Sequence, residues 1–386
     1  MADGTYTGLG NFNLDFGGKA IAVKSQNGAE HTIIDCEHKD KTRGFYFHSG
    51  ETSEAVVDGF TIRNGKADNG GGIYCYNNSS PTITNNIITA NEADNGGGIY
   101  CIDSSPGITN NDITGNSVKY GGGIYCYYNS SPTIKNNTIT GNSAQYGGGG
   151  LECISSSPAI QNNIISGNST NDPGGGIDCN NSSPTITNNT ITANSAAYGG
   201  GIYCFSSSPT ITNNTIARNS ASWYGGGIFC TNYSSPTIVN NTITANSANH
   251  HGGGVYCFIN SSPIVLNTIL WNIGPEEIYL SADYTNIVTI SYSDIQGGQA
   301  GIITNNNGTV NWLEGNIDKD PLFVDAAGGD YHLSDYSPCI GAGTGDGAPI
   351  TDIEGKTRGT PPDMGAYENS IDKPLPSDAT TPAAIN

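Results

Sequence analysis

The segment Asn69–Cys101, NGGGIYCYNNSSPTITNNIITANEADNGGGIYC, begins again before it ends. Gly-Gly-Gly-Ile-Tyr-Cys stands near both ends, with Ser-Ser-Pro and Asn-Asn between them. The cysteines carry the beat onward: Cys75, Cys101, Cys126, Cys153, Cys179, Cys204, Cys230 and Cys257 follow one another at intervals of 25 to 27 residues. An asparagine column keeps the same interval at Asn86, Asn111, Asn137, Asn163, Asn189, Asn214, Asn241 and Asn267. A period near 26 without helical spacing predicts a β-solenoid, not a helical array or a propeller.

Each repeat holds three short alternating runs, in the first copy Ile73–Cys75, Thr82–Thr84 and Ile87–Thr89. Alternation puts Ile73, Cys75, Ile83 and Ile88 on one face and Tyr74, Thr82, Thr84 and Thr89 on the other. Three strands with one apolar face each close into a triangular coil. A single coil cannot bury that face, so stacking is what builds the core. Asn85-Asn86 marks a corner where Asn tolerates left-handed backbone, and amides stacked there can hydrogen-bond up the column. The expected fold is all-β, a three-sheet parallel solenoid of about 11 coils, a rod roughly 50 Å long at the strand spacing.

The regular coils are expected over 70–315, after less regular ones over 1–69. Residues 316–370, with DKDPLFVDAAGGDYHLSDYSPCIGAG, are expected to cap the last coil, and 371–386 to form a Pro/Ala/Thr-rich tail. The opening MADGTYTGLG has no apolar leader and reads like the middle of a strand-and-turn unit, so an upstream segment is expected.

Of the 386 residues only 12% are charged and 54 are glycine, which excludes a solvated disordered chain. Acids outnumber bases 34 to 14, for a net charge of -20. That surface repels phosphate backbones and anionic lipid, which excludes nucleic acid as a partner and suits cations or neutral glycans. No run approaches the roughly 18 apolar residues of a transmembrane helix.

With GGGIYC repeated and variants such as ITAN and ITGN following it, the chain resembles the right-handed parallel β-helix proteins of the pectate-lyase-like superfold. It is similar in particular to bacterial surface proteins with polymorphic outer-membrane-protein-type repeats. The closing stretch, with TDIEGKTRG and DMGAYE, is similar to the segment that ends many secreted β-helix proteins. The resemblance implies a secreted or cell-surface protein. It also implies that GIYC forms the first sheet, whose outer face is the substrate cleft in the enzymes of that superfold.

The outward residue of that strand reads Tyr74, Tyr100, Tyr125, Glu152, Asp178, Tyr203, Phe229 and Tyr256. The six aromatics form a candidate carbohydrate-binding row, with flat faces for sugar rings beside polar Asn and Ser. The competing reading is that Tyr simply stacks well on itself in a parallel ladder. Further tyrosines, Tyr120, Tyr146, Tyr198 and Tyr224, precede the glycines, whereas the Asp178 coil has Asp172-Pro173 there. Glu152 and Asp178 are expected one coil apart, with carboxyls about 5 Å from each other, near the separation of a retaining glycosidase pair. Repulsion would raise one pKa, as a general acid requires. With Asp172 the same acids instead form a candidate calcium set; otherwise they are solvated acids that discourage lateral aggregation. No cofactor is required by the other readings, and calcium is the one candidate.

A lyase fits less well, because no Lys, Arg or His occupies the column to neutralise a uronate. Lys135 and Arg218 fall on other sheets or turns, and His250-His251 lacks a third metal ligand nearby. The eight column cysteines point inward side by side and read as reduced core residues. Three functions are therefore carried forward: a carbohydrate-recognition or adhesion-type surface, a polysaccharide-cleaving enzyme using Glu152 and Asp178, and a structural rod that self-associates end to end.

Overall fold

In the computed structural model, which describes residues 1–376, the chain winds into stacked coils whose strands pair in parallel with their counterparts one coil away. Two of the sheets hold 12 strands each, so there are about 12 coils, one more than the periodicity alone predicted. Following one coil from Ile73, the first sheet takes Ile73–Tyr76, the second Thr82–Thr84 and the third Ile87–Thr89. A fourth strand then follows at Glu92–Asn95, so the three-sheet coil has a fourth side. Its eight strands begin at Lys66–Asn69 and end at Ser247–Ala248. These strands leave little mark on the sequence because they bury only one residue each, such as Ala93, Val118 or Ala144, too little to register as alternation.

The core matches the predicted inward face. Ile73, Cys75, Ile83 and Ile88, and their equivalents in each later coil, have no exposed surface. At roughly 2 kcal/mol per buried aliphatic side chain, every added coil stabilises its neighbours. All ten cysteines are free and buried, and the eight of the column stand in register. At the N-terminal end the core turns aromatic, with Phe16 edge-on to Phe45 and Phe47. At the other end Val310 and Trp312 pack against it.

The corners are held by side-chain ladders, because backbone groups at a bend have no sheet partner and must find another. Asn85, Asn110, Asn136 and Asn162 take left-handed φ near 55°. The next residue in each case turns inward, as Asn86 Nδ2 does in donating to Asn111 Oδ1 at 3.0 Å. This ladder runs to Asn241 and then passes to Thr268, whose hydroxyl accepts from the Asn241 backbone N–H. Asn267, placed in the column by its spacing, is instead the left-handed corner residue (φ 49°), because the coil before it is one residue longer. A second asparagine ladder, Asn91, Asn116, Asn142, Asn168, Asn194, Asn219 and Asn246, holds the corner between the third and fourth sheets. It ends where Asn272 donates to the Glu277 carboxylate.

The C-terminal residues lie along the flank of the solenoid as well as near its end. Asn213 donates to Thr351 O, Asn240 to Asp363 O and Asn267 to Thr344 O, so the segment crosses corners of three successive coils. A short antiparallel hairpin, Phe323–Asp325 with Asp330–Leu333, rests there, gripped by Arg218 through Ala326 O and Ala327 O. This strap covers the outer face of the third sheet, leaving Thr215, Thr242 and Ile269 buried where Asp112 and Ile164 of earlier coils are exposed and Thr138 and Thr190 half-buried. Of the predicted tail, Ile371 packs against the strap's small core and 377–386 lie outside the described residues.

Arg358 pins the strap. Its buried guanidinium donates to Glu368 Oε2 (3.0 Å), Asn213 Oδ1 (2.8 Å) and Gly365 O (2.9 Å). Removing it leaves the buried Glu368 without its charge partner, a loss of about 3–5 kcal/mol. Arg358→Met should therefore make the strap cleavable by protease at concentrations that leave the wild type intact, while the β-helix keeps its circular dichroism. Equal resistance in both proteins would show that the pin contributes nothing.

Candidate functional site

The first sheet places the predicted column in register: Tyr74 beside Tyr100, Tyr100 beside Tyr125, Tyr125 beside Glu152, Glu152 beside Asp178, and Asp178 beside Tyr203. Phe229 and Tyr256 follow. The column is longer than the repeat motif revealed, because Tyr46 and Tyr279, from the irregular segments GFYFHS and EEIYLS, extend it at the two ends. Two stacks of four rings thus flank the acid pair. Centroids in the first stack lie 5.0–5.2 Å apart and in the second 5.0–5.3 Å.

Unlike the exposed row anticipated from sequence, this column is a floor. Tyr100 and Tyr125 are each 6% exposed, Phe229 5% and Tyr256 6%, while Tyr46, Tyr74, Tyr203 and Tyr279 are half-buried. Stacked rings occupy one another's faces, and two rims rise beside them. One rim comes from the strand ends of the first sheet, among them Tyr76, Tyr127 and Phe205. The other comes from the fourth sheet, where Tyr120 and Tyr146 stack at 5.3 Å and are 37% and 39% exposed. The most accessible aromatic surface therefore belongs to the rims. Their tyrosines were visible in the sequence, but only the fourth sheet explains their place.

Where the two acids replace tyrosine, the floor is lower and a cleft of about 750 Å³ opens between the rims, lined by Tyr127, Tyr146, Glu152, Asp172, Asp178 and Tyr203 among others. Gly147 lets the Glu152 side chain fold back, since a Cβ there would fall on the carboxyl group. Asp172-Pro173 supplies the rim at this level in place of a tyrosine, with Pro173 bridged to Tyr198. Glu152 and Asp178 are buried, and Glu152 Oε2 and Asp178 Oδ1 have no hydrogen-bond partner. Among the described residues no three His, Cys, Asp or Glu side chains are grouped to hold a metal ion, Glu152, Asp172 and Asp178 included. A second cleft of about 480 Å³ continues past Tyr203 and Phe205, lined by Tyr198, Tyr224, Phe229, Tyr256 and Phe258, with Asp283 at its edge.

Burial holds both carboxyls well above the ordinary carboxylate range. For Glu152 the nearby Asp178 and then Asp172 add to it, and for Asp178 Asp172 does. Burial also raises the hydroxyl pKa of Tyr125 and Tyr203, with the acids contributing in each case. Raised folded-state values mean that the folded chain holds these protons more tightly than the unfolded chain. The stability they contribute is complete below the ordinary carboxylate pKa of about 4 and is lost as pH rises through the raised values. The Glu152→Gln/Asp178→Asn double variant should therefore gain in unfolding midpoint over the wild type as pH rises from about 4 to about 7. Glu277, pushed up to about 7, and Asp294, to about 6, slope alike in both proteins, so the comparison isolates the pair. A constant difference across that range would refute the raised values.

Cations stand near the column at both ends and on the fourth-sheet rim, where the Lys119 ammonium lies over the Tyr120 ring at 5.5 Å. The Arg43 guanidinium lies over the Tyr46 and Tyr74 rings at 5.0 and 5.5 Å, a contact that sequence spacing did not reveal. His250 stacks on Trp223, and His251 stacks on Tyr279 at 4.0 Å while its Nδ1 pairs with Glu276. The histidines thus join the far rim. They do not lie beside the acids.

A family model described as a right-handed beta helix region matches residues 3–163, 55–216 and 176–321. With these overlapping matches running along most of it, the chain belongs to the right-handed β-helix family. Comparison with curated proteins and with solved structures gives no match. The family match concerns the β-helix and does not extend to the polymorphic outer-membrane-protein resemblance. The fold is common among extracellular proteins and among those that bind or cleave polysaccharides. No helix among the described residues is long and apolar enough to cross a membrane.

Proposed function

We propose that the protein is an extracellular or cell-surface β-helix that recognises a glycan in the trench along its first sheet. The observation that carries this reading is the break in an otherwise continuous aromatic floor, where two buried carboxyl groups open a tyrosine-walled cleft. Clefts of 300–1,000 Å³ with apolar walls and few polar groups are the usual form of a ligand site. Rim tyrosines offer ring faces to sugar C–H groups, and the carboxyls offer hydrogen bonds to hydroxyls. Cleavage of the glycan is the second reading. It is favoured by the raised pKa of both acids, since one can stay protonated as a general acid at neutral pH.

Co-sedimentation with neutral and acidic polysaccharides, followed by analysis of the supernatant for released oligosaccharides, separates the readings. Pelleting without release, weakened about tenfold in Tyr127→Ala and Tyr146→Ala, is the expected result. Release that vanishes in Glu152→Gln would make the protein an enzyme. No pelleting and no release would leave the rod itself, assembling end to end, as the function.

A further inference from the structure

Two adjacent buried carboxyls without a cationic neighbour are costly to ionise, because neither the solvent nor a protein charge compensates the anions. Glu152 is 3% and Asp178 5% exposed, and each has an oxygen with no partner. The lining of their cleft, and of the aromatic cleft that continues it through Tyr203 and Phe205, includes Glu152, Asp172, Asp178 and Asp283 but no Lys, Arg or His. A glycan bearing uronic acids would bring more negative charge to this row and meet no counter-charge in the cleft lining itself, Lys119 lying over the Tyr120 ring on the rim. A ligand bearing a cation would instead supply the missing partner.

The chemistry of the walls says which kind of cation. A calcium ion asks for six to eight oxygen ligands, and no group of three ligating side chains is placed for one among the described residues. The walls are tyrosine and phenylalanine, which favour an ammonium group carried on an organic frame, with the rings against its C–H surface. The two clefts, of about 750 and 480 Å³ and sharing Tyr203 and Phe205, leave room for more than one sugar ring along the helix axis. Resting on the glycan reading above, we propose that the trench selects an amino-sugar polymer with free primary amines, an ammonium group seating against Glu152 and Asp178, and rejects uronate chains. The rim tyrosines would hold the neighbouring rings, and the acid pair would set the preference among glycans.

Calorimetric titration of the full chain with short glucosamine oligomers tests this. The probes are the free-amine form, the fully N-acetylated form of equal length, a neutral gluco-oligomer and an oligogalacturonate. The free-amine oligomer should bind at least about tenfold more tightly than the N-acetylated one. In Glu152→Gln/Asp178→Asn the two should bind equally. That variant changes only two of 34 acidic residues, so attraction to the chain's overall charge would survive in it. A preference that persists in the double variant would therefore overturn the proposal in favour of general charge attraction. N-acetylated, neutral or uronate oligomers binding as tightly as the amine would overturn it while leaving the glycan reading intact. If no oligomer binds, both fail. Calcium binding that disappears in the double variant would identify the pair as a metal site and also overturn it.

Discussion

Asn189→Ala is expected to lower the unfolding free energy by about 3–5 kcal/mol, the range for breaking a buried, fully satisfied polar network. The Asn189 amide has no exposure. Its Nδ2 donates to Ile160 O, Thr187 O and Asn214 Oδ1, and its Oδ1 accepts from both the backbone N–H and the Nδ2 of Asn163. Truncation strands the Asn163 donors and the Ile160 carbonyl in a dry corner and leaves a small void beside them. Neighbouring Asn188 supplies the contrast. It takes the left-handed φ of 56° at the same corner and gives the ladder nothing. Asn188→Gly keeps that backbone without strain and should shift stability by less than about 0.5 kcal/mol. Guanidinium denaturation of both variants decides. Equal midpoints would mean that asparagine is present for corner geometry alone, and the ladder would lose its energetic role.

Gly176→Ala is the second large effect, and it separates two reasons for the glycine triplets. A glycine run before a strand can serve to relax the backbone. The structure shows contact between coils instead: a Cβ at Gly176 would stand 2.6 Å from Gly201 O and 3.0 Å from Ile191 Cγ2. The same position in the neighbouring coils is as tight, a Cβ at Gly150 standing 2.6 Å from Gly176 O and one at Gly201 2.6 Å from Gly227 O. Backbone carbonyls cannot yield as a flexible side chain does, so one methyl must push two coils apart. A loss of about 2–3 kcal/mol is expected, as for overpacking a close-packed core. Gly107, in the second sheet, would meet nothing within 4 Å and occupies a position held by Thr82 and Thr133 in adjacent coils. Gly107→Thr should be neutral or stabilising by about 0.5–1 kcal/mol. If alanine at 176 were tolerated as readily as threonine at 107, the coils would have slack that their packing denies.

Much of this molecule was legible from one repeat because a solenoid is nearly one-dimensional. Ile73, Cys75, Ile83 and Ile88 alternate locally, and every later coil meets the same neighbours, so local alternation and global burial coincide. The parts that escaped do not repeat or bury little. The fourth sheet carries Ala and Ser where a strand is usually recognised by larger apolar residues. The second asparagine ladder was present in ITAN and ITGN, but without that sheet there was no corner for it to hold. Asn267 was misplaced by one residue because coil length varies by a residue from copy to copy. Arg358 and the strap escaped because their partners lie far away in sequence, as Asn213 does.

For the candidate site the division is sharper. The coil, its inward isoleucines and cysteines, and the order of the outward column with Glu152 and Asp178 set among aromatics can all be read from the chain, because period and alternation are local properties of it. That this column forms a buried to half-buried floor between two rims follows from the folded arrangement alone. The same arrangement raises the rims that carry the most accessible tyrosines and encloses the two carboxyls without a counter-charge. Burial and pKa depend on what stands beside a residue in space, and here those neighbours come from a fourth sheet and from adjacent coils.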